Sequence, residues 1–348
     1  MHPPLQPWHV DAPHRAAHLG DLVLESGEVI REFVQPYVTH GRLEGDGTNA
    51  VLVLPAITAS HHRLDFLIGP GKALDPERWF VVAVDAIGNG LATSPSNSRL
   101  QPRMSFPRFN LRDMVHAQHR LLTEHLRLRR VHAVVGASMG GMQCLQWAVS
   151  HAGFMSKAVA LTPMARTAPW AIAVNEATRA CLLADRAWDG TQFATRPDAG
   201  WRAWVAVQQG LIVRTPEALA HEFEHGGDVA ASLARRDAAW RDAGFDAHDF
   251  LYQSWAYDAH DIGATPGFGG DWRRALASVR AEAMVMAPPL DLYNPVACAR
   301  EAADAIPHAA FVTIPSAQGH QAANVASSAD VDFLNARIGA FLMSRRVA

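Results

Sequence analysis

Residues 131–142, V-H-A-V-V-G-A-S-M-G-G-M, constrain this chain more than any other stretch. An apolar strand runs into Gly136-Ala137-Ser138-Met139-Gly140, and a helix is expected to begin near Gly140. This is G-x-S-x-G in the setting of strand, sharp turn and helix that gives the motif its meaning. A serine on a strained strand-to-helix turn has its hydroxyl lifted clear of the sheet edge. Gly136 and Gly140 let neighbouring backbone approach without a clash. The helix N-terminus brings free N–H groups and partial positive charge to the place where an oxyanion would form. Five loosely specified residues also arise by chance in Gly-rich turns, so the nucleophile reading rests on the rest of the chain.

The flanking pattern supplies a fold. Residues 20–40 read as a hairpin around Ser26-Gly27. The runs 49–55 and 79–84 are continuously apolar, as strands covered on both faces are. A helix is expected over 111–126, and after the Ser138 strand Met142, Leu145 and Val149 share a helical face. Further strands are expected at 157–161, 283–287 and 309–314. A helix over 294–306 is opened by Pro295, and a terminal helix carries Val331, Leu334, Ile338, Phe341 and Leu342 on one face. Strands alternating with helices argue for a mostly parallel, doubly wound α/β sheet, with function at the C-terminal ends of its strands. Between 165 and 278 no buried strand is evident, and seven of the ten tryptophans fall there. That segment reads as a helical lid inserted into a core of residues 1–164 and 279–348. Its tryptophans line a pocket, meet a partner subunit or form the lid's own core.

Composition narrows the function. Charged residues are 19% of the 348 and the net charge is −3, which argues against nucleic acid or an anionic membrane as the main partner. Cys144, Cys181 and Cys298 are far apart and form no disulfide framework. No apolar run approaches a membrane span, and the Pro- and His-rich start has no signal-peptide core. A cytoplasmic protein acting on a small molecule is expected.

A nucleophilic serine needs a base to take its proton and an acid to orient that base. The strand at 283–287 runs into Pro288-Pro289-Leu290-Asp291, and the last strand runs into Ser316-Ala317-Gln318-Gly319-His320. Ser138, Asp291 and His320 therefore follow in the chain order that this arrangement uses, each after a strand. The oxyanion donors expected are the backbone N–H groups of Met139 and of Ile57, in the loop after 49–55. A metal is not expected. His221-Glu222-Phe223-Glu224-His225 matches H-E-x-x-H, but Gly226-Gly227 ends the helix at once, and a charged, solvated helix face is the reading taken. Asp246-Ala247-His248-Asp249 recurs as Asp258-Ala259-His260-Asp261, which is too few copies for a repeat array. The remaining histidines show no metal-ligand spacing, and no cofactor is expected.

Beyond these residues the chain resembles the homoserine O-acetyltransferases of the α/β-hydrolase superfamily. The resemblance is carried by Leu24-Glu25-Ser26-Gly27, Asn49-Ala50-Val51-Leu52, Leu67-Ile68-Gly69-Pro70-Gly71-Lys72-Ala73-Leu74 and Ser138-Met139-Gly140-Gly141-Met142-Gln143, with Asn175-Glu176, Phe245-Asp246-Ala247 and Gly319-His320. It runs from about residue 20 to the end. It implies the core-plus-lid fold, a homodimer formed through the lid, and a triad at Ser138, Asp291 and His320. The family begins its oxyanion loop with His where this chain has Pro55, and its lid Arg and Tyr fall on Ala206 and Val213. An Ala cannot bind a carboxylate, and a lost guanidinium removes a pair worth about 1.5–3 kcal/mol. Arg214 is the nearby candidate replacement. The expectation is an acyl-Ser138 enzyme that hydrolyses short-chain acetyl esters. The alternative is homoserine O-acetylation with acetyl-CoA as co-substrate.

Overall fold

Strand Ala50–Leu54 (β3) shows why the apolar runs are continuous. Ala50, Leu52 and Leu54 enter one apolar cluster, while Val51 and Val53 enter another on the opposite face. Alternating side chains point to opposite faces of a strand, so a strand buried on both sides must be apolar throughout. Strand Phe80–Val84 (β4) repeats the arrangement, with Val82 and Val84 on one side and Val81 and Ala83 on the other.

The computed structural model describes residues 2–344. Strands Arg15–Val23 (β1) and Val29–His40 (β2) form the expected hairpin, irregular around Gly20. Strands Val131–Ala137 (β5), Met155–Leu161 (β6), Glu282–Ala287 (β7) and Ala309–Thr313 (β8) complete one eight-stranded sheet. Its order is β1-β2-β4-β3-β5-β6-β7-β8, antiparallel at the first two pairings and parallel from β4 to β8. This is the α/β-hydrolase fold.

Helix Leu111–Arg120 (α1) starts at an Asn110–Asp113 capping box and ends sooner than its periodicity predicts, because residues 121–125 widen into a π turn. Helix Met139–Ser150 (α2) is buried along nearly its whole length, packed on β5, β6 and α1. The lid runs through helices Pro169–Leu183 (α3), Asp198–Val207 (α4), Pro216–Glu222 (α5), Val229–Ala243 (α6) and Ala247–Asp258 (α7). Trp201, Trp204, Phe250 and Trp240 form its apolar centre. Helix Trp272–Ala277 (α8) packs back on α2 and on helix Val296–Ala305 (α9), and Trp272 and Leu276 join the main core cluster. The terminal helix Ser328–Met343 (α10) buries Leu334, Ile338 and Leu342 against the second face. Among the described residues no helix is long and apolar enough to cross a membrane.

Candidate active site

The turn between β5 and α2 is held by backbone contacts that admit no side chain. A Cβ on Gly136 would lie 2.1 Å from the Gly140 carbonyl oxygen, and one on Gly140 would lie 2.6 Å from that of Leu54. Both distances are below any real Cβ contact, so β5, α2 and β3 come together only around glycine. Ser138 pays for this closeness with φ +57° and ψ −122°, a conformation that L-residues avoid. Its N–H donates to Leu161 of β6 at 2.9 Å, which fixes the turn to the neighbouring strand.

The structure brings the three predicted side chains together from the ends of three parallel strands. The Ser138 hydroxyl lies 2.8 Å from His320 Nε2, and His320 Nδ1 lies 2.7 Å from Asp291 Oδ2. All three residues are buried. Asp291 Oδ1 accepts the backbone N–H groups of Tyr293 (2.8 Å) and Asn294 (2.9 Å), so both carboxylate oxygens act as acceptors. His320 Nδ1 therefore carries the proton, and Nε2 is left to accept from serine. Such a chain lets the imidazole take the hydroxyl proton while the carboxylate holds the resulting charge.

The two expected oxyanion donors belong to different elements, the start of α2 and the loop after β3. Met139 is the first residue of α2, where helical N–H groups have no partner within the helix. Ile57 lies in the loop after β3, its side chain between the core and lid clusters. The next residue, Thr58, has φ +54° and gives its N–H to Gln253 Oε1 of α7 (2.9 Å), so that amide is already committed. Gln143 braces the start of the loop. Trp147 Nε1 donates to Gln118 Oε1 (2.7 Å) and Gln118 Nε2 to Gln143 Oε1 (2.7 Å), while Gln143 Nε2 reaches the Pro55 carbonyl at 3.4 Å. Pro55 contributes through its carbonyl, which any residue possesses, so the departure from histidine there leaves this brace intact.

The matches with known proteins agree with this fold. A family model described as alpha/beta hydrolase fold matches residues 49–208. The homoserine O-acetyltransferase of Geobacter sulfurreducens is 32% identical over 276 residues, 70% of this chain and 73% of that protein. The chain belongs to the homoserine O-acetyltransferase family. The Methanobrevibacter ruminantium homoserine O-acetyltransferase is 31% identical over 79% of this chain, which spans 62% of that relative's length. Among solved structures, the acetyl esterase MekB superposes with a TM-score of 0.90 at 27% identity, covering 95% of this chain and 97% of its own. An acetylester hydrolase from Corynebacterium glutamicum gives 0.89 at 26% identity over 95% and 96%. The homoserine O-acetyltransferase family thus shares this acyl-transfer architecture with esterases.

At residues 213–215 the inserted helical segment meets the loop that carries His320. Val213 is buried, and its carbonyl accepts the N–H of Gln321 next to His320 (3.2 Å). Thr215 Oγ1 donates to the Ala317 carbonyl in the same loop (2.5 Å). The lid therefore clamps the His320 loop with backbone and a hydroxyl at this point. Arg214 is paired through Nη1 with Glu222, which also takes Arg236 at 3.1 Å, so that end of its guanidinium is held within the lid. The same pairing disposes of H-E-x-x-H. Helix α5 ends at Glu222, so His221 and His225 do not share a helical face, and His221 is exposed.

Two site residues escaped the sequence reading. Tyr257 is fully buried with its hydroxyl beside the Ser138 side chain, and it donates to Asn294 Oδ1 at 2.6 Å. Burial first, then Tyr293 and Asp291, hold its phenol well above the ordinary tyrosine range, so it stays a neutral donor. Tyr293 stacks on Tyr257 with centroids 5.6 Å apart at 10° and donates to Asn175 Oδ1 at 2.7 Å. Asn175 in turn donates to Asp258 (2.7 Å), which pairs with the buried Arg179 at 2.6 Å. The Asp-Ala-His-Asp repeat was the only local signal. Asp246 caps α7, and Asp258 anchors this network.

Proposed function

We propose that this chain transfers an acetyl group from acetyl-CoA to the hydroxyl of homoserine through an acyl-Ser138 intermediate. The observation that carries acyl transfer is the buried Ser138–His320–Asp291 chain at 2.8 and 2.7 Å. Homoserine as acceptor rests on the names of the relatives. In the first half-reaction Ser138 Oγ attacks the thioester carbonyl and its proton passes to His320 Nε2. Asp291 holds the imidazolium through Nδ1, and the Met139 and Ile57 N–H groups receive the oxyanion, each such donor being worth about 10²–10³ in rate. The carbon–sulfur bond breaks and His320 returns the proton to the departing CoA thiolate. In the second half-reaction His320 takes the acceptor's hydroxyl proton, the acceptor oxygen attacks the acyl-serine, and Oγ leaves with that proton.

A second reading, hydrolysis of short acetyl esters, has specific support. Ala206 and Val213 stand where the family's lid Arg and Tyr fall, Arg214 is paired with Glu222, and the acetyl esterase MekB superposes closely. One assay separates the two. Release of CoA from acetyl-CoA is followed with and without homoserine, beside hydrolysis of 4-nitrophenyl acetate. Homoserine-dependent CoA release is the expected result. Rapid ester hydrolysis with CoA release indifferent to homoserine would transfer the assignment to an esterase.

A further inference from the structure

Four histidines that take no part in the Ser138–His320–Asp291 chain converge on one another. One ring nitrogen or the other of His2, His14, His61 and His62 lies within 4.8 Å of its counterpart on every other member. The Nε2 atoms of His2, His61 and His62 are buried with no hydrogen-bond partner among the described residues. A buried polar atom without a partner is costly, so three in one cluster call for an explanation.

The opposite edges of the rings supply it. His61 Nδ1 lies 3.0 Å from Asp85 Oδ2, and His62 Nδ1 lies 2.5 Å from Asp65 Oδ2. Both carboxylates are themselves anchored. Asp85 Oδ1 accepts the His61 N–H (3.0 Å) and Asn89 Nδ2 (2.9 Å), and Asp65 Oδ2 accepts the Val10 N–H (2.8 Å). His2 Nδ1 is within 2.7 Å of the Pro3 carbonyl. In each of these three rings an acceptor takes the Nδ1 proton, and the Nε2 lone pair is left without a partner among the described residues. A metal-ligating histidine is oriented in this way.

We propose that His2, His14, His61 and His62 form a binding site for a divalent transition-metal ion, zinc by its chemistry. Four neutral imidazoles suit zinc, which takes four nitrogens tetrahedrally at about 2.0–2.1 Å. Asp85 and Asp65, one bond further out, supply two negative charges against the two positive charges of the ion. Four protein ligands leave no position for substrate, which makes the site structural. The ion staples residues 2–14 to the loop that follows β3, four residues beyond Ile57. The sequence hid it because its ligands come from positions 2, 14, 61 and 62, with no local spacing except the adjacent pair.

The test uses the full chain without a polyhistidine tag, stripped with chelator and titrated with zinc alone. Metal content is read by mass spectrometry and stability by thermal unfolding. One zinc per chain is expected, with a rise in Tm. His14→Gln, at an exposed position, and His2→Gln should each weaken binding by more than about 100-fold and abolish the rise. Asp85→Asn should weaken it by about 10–100-fold. His221→Gln, in the exposed H-E-x-x-H segment, should change nothing. Cobalt(II) in the wild-type chain should give the visible bands of tetrahedral coordination, whatever the variants do. A stripped wild-type chain that takes up no zinc, or variants at His2 and His14 that bind it as tightly as wild type, would overturn the site.

Discussion

The ring of Tyr293 stands edge-on to the His320 imidazole, with centroids 5.1 Å apart at 70°. The same residue gives its backbone N–H to Asp291 and its hydroxyl to Asn175 on lid helix α3. One side chain thus supports the base, helps orient the acid and ties both to the lid. Tyr293→Phe keeps the ring but leaves Asn175 Oδ1 without its donor. It should cost about 1–3 kcal/mol in urea unfolding with kcat within a few-fold of wild type. Tyr293→Ala removes the support of the imidazole and should lower kcat at least tenfold while KM moves little. Full kcat in the alanine variant would show that His320 is held by other means.

Substitutions along the hydrogen-bonded chain should be strongly non-additive, because serine and base act as one unit. Ser138→Ala and His320→Ala should each reduce kcat by roughly 10⁴–10⁶, and the double variant should be no slower than Ser138→Ala. Asp291→Asn places an amide donor opposite His320 Nδ1, which favours the wrong tautomer and should cost about 10⁴. Burst kinetics with 4-nitrophenyl acetate would check all three. Independent, multiplying losses would argue against a shared proton path.

The strands along the chain and the loops that carry Ser138, Asp291 and His320 were legible because they follow from chain-local rules. These are two-sided burial of parallel strands, a turn that admits only glycine, and functional loops at strand ends. What stayed hidden was assembled across long separations. Tyr257 reaches Ser138 from the lid, and Gln118 and Trp147 meet through a buried amide ladder. No periodicity marks either. Arg214 was a candidate for the missing lid cation on proximity in sequence. Its pairing with Glu222, eight residues on, depends on how α5 is placed.

Gly140→Ala tests the closeness of the strand-to-helix turn. The new methyl would sit 2.6 Å from the Leu54 carbonyl oxygen and 2.9 Å from that of Pro55. Neither atom is a flexible side-chain end, so α2 or the oxyanion loop must shift. A loss of about 1–3 kcal/mol is expected. The loss of kcat should exceed the share explained by unfolded protein, since the displaced backbone carries Ile57. Gly153→Ala, which meets nothing within 4 Å, is the control and should leave both stability and kcat unchanged.

His260 gives the fold a defined pH response. It is buried at the end of the lid, with neither ring nitrogen partnered among the described residues. Burial, with Arg112 nearby, lowers its pKa to about 3. The unfolded chain therefore binds a proton at this residue below about pH 6.5 that the folded chain refuses until about pH 3. Within that window stability must fall as pH falls, by at most roughly 1.4 kcal/mol per pH unit from this one group. Above it the contribution is constant. His260→Leu removes the titration, so its urea midpoint should gain on the wild type as pH drops from 6.5 to 5, whatever their order at pH 8. Midpoints that run parallel across that range would mean that His260 is protonated in the folded chain.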